Sequence, residues 1–301
     1  MESTYHVPVM LKEVIEGLSI SPSGVYVDCT FGGGGHSKAI LEKLGHEGRL
    51  IVFDQDKDAL SNIPNDERII IVPQNFRHLQ RFLQLHKIAK VDGILADLGI
   101  SSYQIDEGSR GFSTRADAQL DMRMDQRQKL TAADIVQTYS AEKLHKMFEQ
   151  YGEVTNAKTL AALVTEIRKA GALKTTEQFK KALYGVVKGN PNKYFAQVFQ
   201  ALRIEVNDEL GALKDMLIQS VGVLKEEGRI AVITFHSMED RIVKNFFKTG
   251  TFEEVEVENM YGNKSKSPFK IITKKPLTAG DEELKKNNRS RSAKLRIAEK
   301  I

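Results

Sequence analysis

Four consecutive glycines, Gly32–Gly35, stand between a short β-branched run and a helical segment, and they constrain this chain more than any other feature. The stretch from Gly24 to Asp56 reads as strand, glycine loop, helix, turn and strand. Val25 and Val27 follow the turn signal Pro22-Ser23-Gly24. Ile40, Leu41 and Leu44 fall at helical spacing, Gly45 closes the helix, and Arg49–Phe53 is the next apolar run, ending in Asp54. Glycine has no Cβ, so a loop of it can turn tightly and approach a ligand closely. The helix behind such a loop offers unpaired N–H groups to whatever lies over it. Asp54, 20 positions after Gly34, stands where a carboxylate can accept hydrogen bonds from both hydroxyls of a ribose.

Three readings of the loop follow. A dinucleotide fingerprint needs Gly-x-Gly-x-x-Gly, but Gly32-x-Gly34 is followed by Ser37, and Gly33-x-Gly35 by Lys38. The opening Asp28 and the looser D-x-x-x-G-G-G-G run better suit the wider loop of an S-adenosylmethionine (SAM) site. A ligand-free turn would gain nothing from four glycines, each of which costs conformational entropy.

The pattern repeats along the chain. Arg68–Pro73 is a third strand, followed by Phe76, which stands where an adenine ring could lie and could equally be a core aromatic. Val91–Leu98 is a fourth, ending in Asp97 and followed by Ser101 and Gln104. Strands alternating with helices predict a doubly wound, mostly parallel α/β sheet, with ligands at the carboxyl ends of its strands. Those ends present Gly34, Gly35, His36, Asp54, Phe76 and Asp97 in succession.

Ile105–Asp125 breaks the alternation with a loop dense in Arg and Asp. Arg110, Arg115 and Arg123 could hold phosphates there, with Asp121 and Asp125 orienting them or binding an ion, or the segment could be a solvated connection; long loops in compact domains are usually functional. From Thr131 about 70 residues read as helical, starting with a Thr131/Asp134 capping box, and look like a small all-helical domain inserted after the fourth strand. The expected division is 1–112 with 203–301, and 113–202 inserted. A long helix over Val206–Leu224 returns to a fifth strand, Arg229–Phe235, with His236 at its tip. His236 is a catalytic candidate, a contact to a base, or simply the start of a helix capped by Ser237. Phe252–Val257, Phe269–Lys274 and Lys294–Ile297 alternate as antiparallel edge strands.

The charge is uneven. The chain carries 44 Lys and Arg against 40 Asp and Glu, but from Lys264 onward there are twelve basic and four acidic residues. A tail of +8 on a body of −4 points to phosphate contacts, with Arg289 and Arg291 among the candidates, or to a solvated basic terminus. No apolar run is long enough to span a bilayer and no secretory leader is legible, so a cytoplasmic protein without membrane contact is expected. The single cysteine, Cys29, excludes a disulfide framework and a cysteine zinc site, and no metal site is expected. It also disfavours methylation at a pyrimidine C5, which needs an accessible thiolate.

The motifs HVPVML (6–11), DCTFGGGGHS (28–37), FDQD (53–56), DGILADLGISS (92–102), RGFSTRADAQLDMRMD (110–125), FQALRIEVNDEL (199–210), ITFHSMEDRIVK (233–244) and RSRSAKLRIAEK (289–300) resemble the bacterial RsmH (MraW) family. The resemblance spans nearly the whole chain. It implies a class I SAM-dependent methyltransferase, Rossmann-like, with the inserted helical domain recognising RNA. It further implies methylation of the exocyclic N4 of a cytosine in 16S ribosomal RNA, within the small ribosomal subunit, and leaves a homodimer open. Carried over by position, SAM contacts fall on Gly34, Gly35, His36, Asp54, Phe76, Asp97 and Gln104, the last from the resemblance alone. The proton acceptor does not transfer, because Asp97-Leu-Gly-Ile-Ser replaces the (Asp/Asn)-Pro-Pro-(Tyr/Phe) of many amino methyltransferases. Asp97, His236 and Ser101 are the candidates. The base must leave any stack to be reached, and Tyr103 and Phe112 are possible stacking partners. Two rival readings are an NAD-linked dehydrogenase and a non-catalytic ribosome assembly factor.

Overall fold

A computed structural model describes residues 8–101, 103–104, 107–171, 173–252 and 267–301. These fall into two compact units, one made of Met1–Gly99 with Leu210–Ile301 and the other of Ile100–Glu209. The division expected at 112/113 and 202/203 therefore lies inside the second unit. Among the described residues no helix is long and apolar enough to cross a membrane.

The first unit is a seven-stranded sheet of order β3-β2-β1-β4-β5-β7-β6. Its strands are β1 (Val25–Asp28), β2 (Arg49–Phe53), β3 (Ile69–Val72), β4 (Val91–Asp97), β5 (Leu224–Thr234), β6 (Phe269–Ile271) and β7 (Lys294–Lys300). The pairs β3/β2, β2/β1, β1/β4 and β4/β5 are parallel, whereas β7 runs antiparallel to both β5 and β6. Two of the expected edge strands are thus present; of Phe252–Val257, all but Phe252 lies outside the described residues, as does His6.

The inner strands are apolar along nearly their whole length because both faces are covered. Ile51, Phe53, Ile94, Ala96, Ile230 and Val232 join one core. Their neighbours Leu50, Val52, Leu95, Ala231 and Ile233 join another. The period of two along each strand sends alternate side chains to opposite faces. The first core is closed by α4 (Leu79–Leu85), α10 (Glu209–Val223) and α11 (Ser237–Thr249), the second by α1 (Leu11–Leu18) and α2 (Gly35–Lys43). A short α3 (Lys57–Leu60) follows β2, and α12 (Asp281–Lys286) precedes β7.

The second unit packs α5 (Ala132–Thr138), α6 (Ala141–Gly152), α7 (Ala157–Ile167), α8 (Thr176–Leu183) and α9 (Pro191–Asn207) around their own core. The expected capping box is present, Thr131 and Asp134 exchanging bonds at the start of α5. Phe112, Leu120, Met122 and Met124, from the Arg- and Asp-rich segment, are part of the same core, which is why the unit starts well before residue 113.

The single helix expected over Val206–Leu224 is two. Asp208 takes φ 46°, so α9 stops at Asn207 and α10 starts afresh at Glu209. The left-handed conformation breaks the i→i−4 ladder without interrupting the apolar spacing, so the break is silent in the pattern. β5 also begins earlier than expected, at Leu224, with a register irregularity between Leu224 and Arg229.

Candidate active site

The carboxyl ends of β1, β2, β3 and β4 share one edge of the sheet, and neighbouring strands β1 and β4 carry connections to opposite sides. This is the switch point at which open α/β sheets bind ligands. The loop after β1 is pinned to both neighbours, Cys29 N–H donating to Leu95 O at 2.8 Å and Phe31 N–H to Phe53 O at 3.1 Å. Gly34 caps α2 at φ 76°, in left-handed space, and a Cβ there would come within 2.7 Å of the Phe31 ring. A Cβ on Gly35 would lie 2.9 Å from Pro8. Packing within the loop is thus a second reason for these glycines, alongside access to a ligand.

Carboxylates surround the loop. Asp28 is buried and accepts from Ser37 Oγ (2.7 Å) and Thr30 N–H (3.0 Å); burial raises its pKa, and those bonds offset part of the rise. Asp54 accepts from Gly32 N–H (2.8 Å) through one oxygen and from Asp56 N–H (2.9 Å) through the other. Burial outweighs these bonds and pushes its pKa up to about 6. β2 and β3 are tied at their tips by Asn75 Nδ2–H donating to Gln55 Oε1 at 2.9 Å. Asn75 also caps the short turn Phe76–His78, and Phe76 packs half-buried against the adjoining core.

Asp97 ends β4. Its backbone N–H donates to Thr30 Oγ1 at 2.7 Å, and its Oδ2 lies 3.6 Å from His36 Nδ1. His36 Nε2 lies 2.9 Å from Val9 O, a carbonyl that can only accept, so Nε2 carries a proton and Nδ1 faces Asp97. Asp97 Oδ1 is buried and has no hydrogen-bond partner among the described residues. Burial, then the neighbouring charges of Asp28 and Glu239, holds the Asp97 carboxyl well above the usual carboxylate range. A buried acceptor left open is expensive unless something fills it, so Oδ1 is where a ligand's polar hydrogen fits.

His236 starts a helix, but not one capped by Ser237. It, not Ser237, is the N-cap of α11, accepting from Glu239 N–H through Nδ1 at 3.4 Å, while Glu239 returns a bond to the His236 backbone. Its Nε2 lies 3.0 Å from Glu239 Oε1. Glu239, which in sequence reads only as a helix-dipole charge, is 2% exposed and also accepts from Phe235 N–H at 2.8 Å. Thr30 is equally silent in the sequence, because a threonine after a strand carries no signal of its own.

In the second unit Ser101 and Gln104 are paired, Ser101 N–H donating to Gln104 Oε1 (3.1 Å) and Gln104 N–H to Ser101 Oγ (3.2 Å). Gln104 is buried, and Tyr103 is 51% exposed. Arg110 is buried, donates to the carbonyls of Arg123 (2.7 Å) and Met124 (3.0 Å), and lies over the Phe112 ring. Arg123 forks onto Asp121 and also donates to Gln128 O at 2.7 Å. Arg115 and Arg291 are exposed, and Arg289 is half-buried. Arg110→Ala should therefore lower unfolding stability by about 2 kcal/mol, the scale of hydrogen bonds from a charged group to buried carbonyls. Urea titration tests this. Unchanged stability with weakened RNA binding would show instead that Arg110 faces the substrate.

Cys29 is buried, and burial raises its thiol pKa well above the ordinary value, the reverse of an activated nucleophile.

Ribosomal RNA small subunit methyltransferase H of Azobacteroides pseudotrichonymphae is 53% identical, over 99% of this chain and 98% of that protein. The proteins of the same name from Cytophaga hutchinsonii and Bacteroides fragilis are 53% and 50% identical, each over at least 98% of both chains. The mostly parallel seven-stranded sheet is the class I methyltransferase arrangement that the motifs implied. The model of the MraW methylase family matches residues 3–301, and the chain belongs to that family.

Proposed function

We propose that this protein transfers the methyl group of SAM to the exocyclic N4 of a cytidine in 16S ribosomal RNA, acting in the cytoplasm on RNA of the small ribosomal subunit. The choice of RNA rests on the identity of about half the chain, end to end, with proteins named for methylating small-subunit ribosomal RNA. The chemistry rests on one observation: the open, buried Oδ1 of Asp97 at the switch point of the sheet.

Bound SAM supplies an electrophilic methyl on a sulfonium. In the first unit Asp54 would accept the ribose hydroxyls, and the loop Gly34–His36 and Phe76 would line the rest of the cofactor. The cytosine amine is a poor nucleophile because its lone pair is delocalised into the ring. Asp97 Oδ1 accepts one N–H of that amine, drawing the lone pair out of conjugation, and takes the proton as the new N–C bond forms and the S–C bond breaks. A carboxylate whose proton affinity is raised by burial suits that task better than an ordinary one. His36 and Thr30 fix Asp97 in place. His236 and Glu239 brace the start of α11, and Ser101 holds Gln104. The inserted unit serves RNA recognition, with Tyr103 and Arg115 exposed on it, and Arg291 is exposed on the first unit.

Labelled methyl transfer to RNA, followed by digestion to nucleosides, tests the reading. An NAD-linked dehydrogenase would instead bind nicotinamide, and an assembly factor would bind RNA without transferring the label.

A further inference from the structure

The first unit also holds a concave feature lined by none of the residues assigned to the cofactor. A cleft of about 400 Å³ opens between α11 and the β6–β7 edge. Lys244 and Lys248 line it from the helix, Lys274 and Lys275 from the loop after β6, and Lys294 and Arg296 from β7. The one carboxylate in its wall is Asp240. Asp240 is already taken: Arg296 forks onto it at 2.6 and 3.2 Å, and Lys294 lies 3.3 Å away. Burial raises its pKa, but these two cations more than compensate and hold it below the usual carboxylate value. Lys244, Lys248, Lys274 and Lys275 have no acidic partner among the described residues, and all four are exposed. Six cations around one already paired carboxylate repel one another, and an anion in the cleft would relieve that repulsion.

The walls are built rather than fortuitous. Asp240, Lys244 and Lys248 follow one face of α11 at i, i+4 and i+8, a row about 12 Å long at 1.5 Å per residue. The opposite loop is fixed at both ends. Ile272 N–H donates to Ile297 O (3.0 Å), Ile297 N–H donates to Thr273 Oγ1 (2.9 Å), and Leu277 and Leu295 exchange backbone bonds at 2.9 Å. Lys274 and Lys275 are therefore presented on a clamped turn. The cleft also begins at the catalytic edge of the sheet. Lys294 pairs with Thr234 at the carboxyl end of β5, and Asp240 directly follows the buried Glu239. A linear basic track starting at a nucleotide-modifying site has the shape of a polyanionic strand.

We propose that this cleft binds the phosphate backbone of the RNA substrate next to the target nucleotide. The proposal rests on the RNA-methyltransferase reading given above. It also gives part of the basic tail a place, since four of the six cations come from it.

The test replaces Lys244, Lys248, Lys274 and Lys275 with Gln in the full-length protein. A control loses four charges at Lys43, Lys87, Lys90 and Lys225, near the opposite ends of the strands. Binding to small ribosomal subunits from a strain lacking the protein is measured by filter retention across a salt series, and SAM binding is measured separately. The cleft variant should bind the subunit at least about tenfold more weakly at physiological salt. Its slope of log K against log salt should be shallower by about 0.7 for each phosphate that is no longer neutralised. SAM binding should match the unmutated protein, and the control should stay near it in subunit affinity and slope. Affinity and slope unchanged in the cleft variant overturn the proposal, and so does an equal loss in the control. Unmutated protein that binds subunits through these lysines yet transfers no methyl would leave the cleft standing and sink the functional reading. Methyl transfer with cleft-independent binding would do the reverse.

Discussion

Asp97→Asn is expected to lower kcat for methyl transfer by about 10²- to 10⁴-fold, the range a positioned general base contributes. SAM should still bind, weakened by less than about tenfold, the scale of one neutral hydrogen bond. Asn keeps the size of the side chain but has no oxygen able to take a proton. The pH profile carries the sign. Only the ionised carboxylate accepts the amine proton, so activity in the unmutated protein should be lost on the acid side. Because burial and the charges of Asp28 and Glu239 raise the Asp97 pKa, that loss should begin above the ordinary carboxylate range. Single-turnover rates against pH, with SAM affinity measured in parallel, check both parts. A variant that retains its kcat would move the proton to another acceptor, with His236 and Ser101 next in line.

The second large effect is at Asp54. Asp54→Asn should weaken SAM about 10- to 100-fold, since hydrogen bonds to a charged acceptor are worth about 1.5–3 kcal/mol each. With a pKa near 6 in the folded protein, Asp54 is protonated within an accessible range. The ribose hydroxyls prefer the carboxylate, so SAM affinity should fall as pH drops below about 6. The stability term has the opposite sign. A carboxyl with a raised folded pKa stabilises the fold below its unfolded value, and that contribution is lost as pH rises through about 6. The unliganded protein should therefore lose stability between about pH 4 and 6 through this group, and bound SAM should offset the loss. Calorimetric titration at several pH values distinguishes the outcomes. A flat pH dependence, or an Asn variant that binds like the parent, would remove Asp54 from the cofactor site.

Much of this was legible in the chain. The parallel core follows from four apolar runs each succeeded by a helical pattern, and the antiparallel edge from the alternation in Phe269–Lys274 and Lys294–Ile297. Asp54 and Asp97 could be located because each ends a strand, and strand ends in such sheets face the ligand. What was not legible depended on three-dimensional closure. Asp208 breaks a helix through a single backbone angle that leaves the apolar spacing intact. Arg110 and Arg123 sit in a charged, glycine-bearing loop that reads as a phosphate-binding or a solvated segment, yet their guanidinium groups hold that loop together from within. Glu239 and His236 cap each other, a pairing three residues apart that fits the capping-box rule only when histidine is allowed at the cap. The basic cleft was invisible because Lys244 and Lys274 are distant in sequence and meet only once β7 is inserted beside β5.

Transfer of labelled methyl from SAM to small ribosomal subunits from a strain lacking this protein, with the RNA then digested to nucleosides, decides between cytosine-N4 methylation and every alternative. The label should appear in N4-methylcytidine, and Asp97→Asn should reduce it at least about a hundredfold. Label in any other nucleoside, or none despite bound SAM, would contradict the assignment.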